Sequence, residues 1–186
     1  MRTPRDTPRP DRRIDRTRKL LADALVELIL EKGYETVSVQ DILDRANVGR
    51  STFYAHFENK EELLFNGHSW LNNAFFTEPE QPETFFGIDL MGLFQHAADN
   101  RRLARAMLGK NSSELIIGHI RDVLYLRIRK TLKAEPQPGS ETEVELTAQA
   151  LAALLVGVLR AWLETDLPAT PEQLVQLTRS LVREQG

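Results

Sequence analysis

Cysteine is missing from all 186 residues, which excludes disulfide bonds and thiolate metal ligands and favours a reducing compartment such as the cytoplasm. Long hydrophobic runs are missing too. The longest uncharged stretch, 146–159, is rich in alanine and shorter than the roughly 20 apolar residues that a transmembrane helix needs. The N-terminus is rich in arginine but lacks the apolar centre of a secretory signal. We therefore expect a cytoplasmic protein with no membrane segment.

Motifs for catalysis are also lacking, because the sequence has no phosphate-binding loop, nucleotide fingerprint or zinc-protease pattern. Ser113, His119 and Asp122 occur close together, but six residues along a helix place Ser113 and His119 on different sides, so they cannot pair locally. The scattered histidines lack the carboxylate spacing of a metal site. We expect no metal, no cofactor and no enzyme; a hydrolase built on His119 is the disfavoured alternative.

An excess of positive charge is absent as well, since 24 Lys and Arg face 27 Asp and Glu for a net charge of −3. The charges are nevertheless unevenly distributed along the chain. Residues 1–60 carry 12 basic and 10 acidic side chains, whereas residues 61–186 carry 12 basic and 17 acidic ones. This asymmetry indicates a basic working end followed by an acidic remainder.

Apolar residues recur at helical spacing along most of the chain, and no stretch shows the alternation of a strand, so the fold class is all-α. Residues 1–11 contain three prolines and predict a disordered arm, which is either an untethered terminus or a DNA-touching segment. Two prolines within 77–83 mark an internal joint. The predicted helices span 14–32, 39–46, 50–56, 60–75, 84–97, 99–109, 113–134, 141–165 and 171–184.

The stretch "VGRSTFYAHFENKEEL", residues 48–63, predicts the second half of a helix-turn-helix. Ser38 is suited to cap the first helix, and Asn47 is suited to a left-handed turn after it. Phe53 and Phe57, four residues apart, would bury one face of the second helix. The opposite face is then left free to enter a major groove, and it carries Arg50, Ser51, Thr52, Tyr54 and His56.

These side chains have the chemistry of a DNA-binding surface. Arginine can read guanine through two parallel hydrogen bonds, and serine or threonine can bond bases or phosphates. Tyr54, His56 and Lys60 are better suited to phosphates, which fix position without reading sequence. Gln40 could reach a base edge or a phosphate, and Thr36 and Ser38 are phosphate candidates. The alternative is an ordinary helical hairpin with a solvated polar face.

Residues 14–75 resemble the DNA-binding domain of the TetR/AcrR family of bacterial transcription regulators. The resemblance rests on three segments, "GYETVSVQDI" (33–42), "ANVGRSTFYAHF" (46–57) and "NKEEL" (59–63). It implies that the DNA is lined by Arg50, Ser51, Thr52, Tyr54, His56 and Lys60, with Gln40 contributing from the preceding helix. It also implies that the later helices form an effector and dimerisation domain. The expected domains are a basic arm at 1–12, a helix-turn-helix at 13–58, a connecting helix at 59–76, and a ligand-binding and dimerisation domain at 77–186.

The helix predicted at 141–165 is apolar or small nearly all round, so it needs cover on several sides. We expect it to pair, together with the last helix, with its symmetry mates as a four-helix dimer interface, as the family resemblance also implies. The alternative is an ordinary monomeric core. The predicted interface residues are Leu151, Leu155, Val158, Trp162, Leu174, Leu177 and Leu181.

Aromatic residues, methionines and histidines lie between these two regions, where members of the family often enclose a small apolar effector. The alternative is that these side chains simply pack. The predicted pocket residues are Trp70, Phe86, Phe94, Met107, His119 and Tyr125.

The leading hypothesis is a homodimeric repressor that binds a near-palindromic double-stranded operator and is released from it by a small-molecule effector. An activator remains possible, because the sequence does not fix the sign of regulation. The alternative from another class is a helical interaction or ligand-sequestering protein without sequence-specific DNA binding.

Overall fold

The computed structural model describes residues 12–66, 84–110, 112–136, 139–165 and 168–183. Within these ranges the chain is helical apart from short connections, and an isolated bridge between Phe85 and Ile88 is the only extended pairing there, which confirms the all-α class. A 3-10 turn covers Tyr34–Thr36. The helices are α1 (Arg12–Lys32), α2 (Val39–Ala46), α3 (Arg50–Tyr54), α4 (Lys60–Asn66), α5 (Leu90–Asp99), α6 (Arg101–Leu108), α7 (Glu114–Lys133), α8 (Glu141–Glu164) and α9 (Pro171–Arg183).

The chain divides into two compact units. The N-terminal unit comprises Met1–Glu31 and Val37–Ser69, and the C-terminal unit comprises Lys32–Thr36 and Trp70–Gly186. Most of the predicted basic arm and the later part of the predicted connecting helix lie outside the described residues.

The ends of the short N-terminal helices are set by local sequence. Ser38 caps α2 in a capping box, in which its hydroxyl accepts from the Asp41 amide and the Asp41 carboxylate accepts from the Ser38 amide. Asn47 ends α2 with a φ of 52°, a left-handed conformation that asparagine tolerates better than most residues. Asn59 accepts a hydrogen bond of 2.7 Å from the Glu62 amide at the start of α4. The predicted roles of Ser38 and Asn47 are therefore confirmed.

The start of α5 differs from the prediction, which began a helix at residue 84. Phe85 and Ile88 exchange two backbone hydrogen bonds across a tight turn, in which Phe86 and Gly87 have φ values of 48° and 81°. Two consecutive left-handed residues cannot continue an α-helix. The helix begins instead after Asp89, whose carboxylate accepts from the Gly92 amide at 2.9 Å.

Helix α8 is the centre of the C-terminal unit, where α6, α7 and α9 all pack against it. By length and composition it is apolar enough to cross a membrane, but half of its most apolar stretch is buried inside the chain. The core helix of a soluble protein can have the same length and composition. The apolar composition that predicted a dimer face is thus largely explained by neighbours within the same chain.

Four of the predicted dimer-interface residues are already buried by the chain itself. Leu155 is 0% exposed and Leu174 is 3% exposed, and Leu151 and Trp162 are also buried in the core. A partner cannot be what covers them. Val158 is half-buried, while Leu177 and Leu181 remain 47% and 44% exposed.

The C-terminal end of α8 is held by two arginines of α6. Arg101 donates to the Trp162 carbonyl at 3.1 Å, and its guanidinium lies 4.5 Å from the centre of the Trp162 ring. Arg105 donates to the Leu163 carbonyl at 2.7 Å. The last carbonyls of a helix have no partners within the helix, so these cations satisfy them and complement the helix dipole.

Candidate nucleic-acid interface

Helix α3 is anchored by two phenylalanines on its inner side. Phe53 is 0% exposed and Phe57 is 2% exposed, and their ring centroids lie 6.0 Å apart. The Arg18 guanidinium of α1 lies 4.7 Å from the centre of the Phe57 ring, within the range of a cation–π contact. Helix α3 has only five residues, and Gly49 gives it no side-chain cap. Since such a short helix is not stable alone, its position depends on this packing.

The outer side of α3 faces solvent. Arg50, Ser51 and Thr52 are exposed, and Tyr54 is 52% exposed while its ring packs edge-on against Phe53 at 5.3 Å. His56, just beyond the helix, is half-buried. The predicted anchor and the predicted polar face thus lie on opposite sides of the same short helix.

Arg50 is linked to α2 through a chain of side-chain hydrogen bonds. Its Nη2 donates to Gln40 Oε1 at 2.8 Å, and Gln40 Nε2 donates to Asp44 Oδ1 at 2.8 Å. Gln40, Asp44 and Arg50 are all exposed. The predicted site residues Gln40 and Arg50 are therefore brought together. Asp44 was not among the predicted site residues, although its position four residues after Gln40 on a helix indicates that the two side chains are neighbours.

Three of the predicted phosphate contacts already have hydrogen bonds within the protein. The Ser38 hydroxyl belongs to the capping box of α2. The Thr36 hydroxyl donates to the Lys32 carbonyl at 2.7 Å. Lys60 Nζ donates to the Val37 carbonyl at 2.9 Å.

Arg45, in the N-terminal unit, has a structural role. It forms ion pairs with Glu31 at 2.6 Å and Glu27 at 3.1 Å, joining α2 to α1. The hydrogen bonds that Arg45 donates to these carboxylates, Glu31 first, raise the pKa of Arg45 above its usual value. Arg45 is thus neutralised by its neighbours, unlike Arg50.

The predicted pocket residues have diverse surroundings in the C-terminal unit. Phe94 is 0% exposed and Met107 is also buried. Phe86 packs edge-on against Phe85 at 4.9 Å. Trp70 lies outside the described residues.

His119 and Tyr125 both lie on α7. Burial lowers the pKa of His119, and the charge of Asp122 partly offsets this effect. The Tyr125 hydroxyl donates to the Glu145 carboxylate, and this bond raises the pKa of Tyr125. Arg129 also donates to Glu145 at 2.9 Å. Tyr125 thus belongs to a polar link between α7 and α8.

Comparisons with known proteins match both parts of the chain. Residues 21–66 match the family described as bacterial regulatory proteins, tetR family, and residues 90–184 match a transcriptional regulator C-terminal region. A TetR transcriptional regulator from Streptococcus agalactiae 2603V, whose crystal structure is known, shares 26% sequence identity with this chain, and the two structures superpose with a TM-score of 0.69. The alignment covers 92% of this chain and 96% of that one.

The curated relatives match shorter parts of the chain. The uncharacterized HTH-type regulator YxbF of Bacillus subtilis is 46% identical over 55 residues, 29% of this chain and 14% of that protein. The dhaKLM operon transcriptional activator DhaS of Lactococcus lactis is 40% identical over 62 residues, 33% of this chain and 31% of that protein. The matches thus span less than a third of either relative. With both regions of the chain matched, the protein belongs to the tetR family of bacterial regulatory proteins and is a DNA-binding transcriptional regulator.

Proposed function

We propose that the protein is a homodimeric repressor in the cytoplasm that binds a near-palindromic operator through α3. The observation that most directly supports this proposal is that α3 has one buried side and one exposed side. Phe53 is buried, and the neighbouring Thr52 and Tyr54 are exposed. An anchored helix with a free polar face is what a major groove accommodates. Two copies related by a twofold axis would present two such helices to half-sites about 34 Å apart.

The proposed dimer face is the exposed part of α8 and α9. Ala150, Ala153, Gly157 and Ala161 are exposed and recur along one side of α8 at steps of three and four. A Cβ added at Gly157 would meet no atom within 4 Å, so another helix can approach closely there. Leu146, at 63% exposure, continues this side. The exposed Leu177 and Leu181 supply a matching apolar pair on α9.

We propose a small apolar effector for the C-terminal unit. Such a ligand would shift the DNA-bound population only through different affinities for the DNA-competent and the released arrangements. Phe94 is fully buried. An effector that contacts Phe94 would therefore have to displace side chains of the core, which couples ligand binding to a change in core packing.

Activation is the second candidate mode of regulation. DhaS, which is 40% identical over 62 residues, is named as an activator. The DNA-binding face has the same role in either mode, because the sign of regulation depends on where the operator lies. A reporter gene carrying the bound sequence upstream distinguishes the two by the direction of its change when the protein is expressed.

The test is selection from a pool of randomised duplexes, followed by titrations of the selected DNA at 50 and 200 mM salt. Six to ten phosphate contacts predict a loss of affinity of about 10³- to 10⁵-fold over this range. Arg50→Ala should weaken specific binding by about tenfold, whereas Arg102→Ala, which removes the same charge from an exposed site on α6, should not. An unenriched pool, or an affinity that does not depend on salt, contradicts the proposal.

A further inference from the structure

Gln40, Asp44 and Arg50 form a hydrogen-bonded chain that we call the α2–α3 triad. Asp44 accepts from Gln40 Nε2, and Gln40 Oε1 accepts from Arg50 Nη2, with both distances 2.8 Å. Gln40 and Asp44 lie one turn apart on α2, and Arg50 is the first residue of α3. The triad therefore connects the two halves of the helix-turn-helix on their solvent-facing side.

The chemistry of the two outer members fixes the orientation of the amide between them. An ionised carboxylate only accepts hydrogen bonds, and a guanidinium only donates them. The Gln40 amide has one donating and one accepting end. Turning it over would set oxygen against the Asp44 carboxylate and N–H against the Arg50 guanidinium. Asp44 thus holds Gln40 in the orientation that binds Arg50.

This arrangement separates the roles of Gln40 and Arg50. A glutamine that reads adenine needs both ends of its amide at the base edge, and both ends of Gln40 are engaged within the protein. Arg50 uses one N–H toward Gln40 and keeps its remaining donors, which suffice for a two-pronged bond to guanine O6 and N7. A side chain oriented before binding also loses less conformational freedom when it binds.

We propose that the triad reads one G·C base pair as a unit, with Arg50 contacting guanine and Gln40 and Asp44 acting as positioning residues. The proposal rests on the DNA-binding face proposed above and goes beyond it in assigning a base to Arg50 and no base to Gln40. Asp44 has a simpler possible role, in which its negative charge repels phosphates near the site. That role would affect all DNA sequences equally.

The experiment uses the full-length protein and the duplex obtained by selection. Each base pair of one half-site is replaced by the three alternatives, and the affinity of each duplex is measured by competition in fluorescence anisotropy. The variants are Arg50→Ala, Gln40→Ala, the double variant, Asp44→Ala and Asp44→Glu. Asp23→Ala is the matched control, since it removes one carboxylate from an exposed ion pair with Lys19 on α1. Circular dichroism melting verifies that each variant folds.

The proposal expects Arg50→Ala to lower the preference for one G·C pair by about tenfold. Gln40→Ala should lower the preference at that same pair and have no further effect in the Arg50→Ala background. Asp44→Ala should reduce it in the same direction, and Asp44→Glu should restore it by keeping the acceptor. Asp23→Ala should leave base preference unchanged.

Three results would overturn the proposal. One is that Gln40→Ala removes a preference at a different base pair, which makes Gln40 a reader in its own right. Another is that the Gln40 and Arg50 effects add independently. The third is that Asp44→Ala strengthens binding to all duplexes equally, as a bulk charge would. An unenriched pool contradicts the proposed function itself, and is thereby distinguished from these three results, each of which requires a selected site.

Discussion

Substitutions at two adjacent residues of α3 distinguish the role of its buried anchor from that of its DNA-facing side. Phe53→Ala removes the anchor, and Tyr54→Phe changes only the DNA-facing side. Phe53 is 0% exposed, whereas Tyr54 is 52% exposed. Truncating a buried phenylalanine to alanine costs about 3–5 kcal/mol, from lost burial and the cavity left behind. A domain has only about 5–15 kcal/mol of stability in total. Because α3 has five residues and cannot form alone, we expect its position to be lost first.

The assay is amide hydrogen exchange followed by mass spectrometry, which reports on each unit separately. In Phe53→Ala, amides of α1–α4 should exchange faster by a factor of about 100 or more, which corresponds to roughly 3 kcal/mol at 1.4 kcal/mol per tenfold. Amides of α7 and α8 should be unchanged. Tyr54→Phe keeps the ring against Phe53 and removes only the hydroxyl, so exchange should stay as in the wild type while DNA affinity falls.

Unchanged exchange across residues 50–57 in Phe53→Ala would refute the reasoning, because it would show that α3 holds its place without the anchor. Faster exchange in Tyr54→Phe would also refute the reasoning, which assigns the Tyr54 hydroxyl to DNA binding and not to stability. In that case the Tyr54 hydroxyl would stabilise the fold, and a loss of DNA binding could not be assigned to the outer face.

Three further results are expected. Ser38→Ala removes the cap of α2 and should lower the free energy of unfolding by about 1 kcal/mol in a denaturant titration; no change would mean that the capping box is not formed in solution. Leu177→Glu should convert the proposed dimer to monomer in sedimentation, whereas the same substitution at the exposed Leu126 of α7 should not; a dimer that survives Leu177→Glu contradicts the α9 face. Burial lowers the pKa of His96, so the unfolded chain takes up the proton first, and stability should fall as pH drops below about 6.5 toward the folded pKa. His96→Gln should flatten this dependence in melting curves at pH 7.5 and 5.5, and an equally steep dependence in that variant would assign it to other groups.

The helix ends of the N-terminal unit were predictable because capping is local. Ser38 and Asn47 act on backbone groups within three or four residues, so their residue types carry the information. The start of α5 was missed for the opposite reason. Nothing in the pattern around Phe85 distinguishes the first turn of a helix from a tight turn, and Phe86 takes up a left-handed conformation that its residue type disfavours.

The faces of α8 illustrate a limit of composition. An apolar helix needs cover, but its sequence does not say whether the cover comes from its own chain or from a partner. Leu155 is covered entirely by its own chain, whereas Leu146 on the same helix is 63% exposed. Assigning each side requires knowing where α6, α7 and α9 pack, which is a long-range property of the fold.

The α2–α3 triad could be predicted only in part from the sequence. The i, i+4 spacing of Gln40 and Asp44 indicates a contact on one helix. The bond from Arg50 to Gln40 joins residues ten positions apart and depends on the angle between α2 and α3. The types of the DNA-facing residues were predictable from the motif, but their connections to one another were not.

Dimethyl sulfate interference on the selected duplex tests most directly whether the outer face of α3 enters a major groove. Methylation of guanine N7 modifies the major groove, and methylation of adenine N3 modifies the minor groove. A reading helix led by Arg50 predicts that N7 methylation of one guanine in each half-site blocks binding, with the two positions about one helical turn apart. Interference at adenine N3 alone, or none at any guanine, would contradict it.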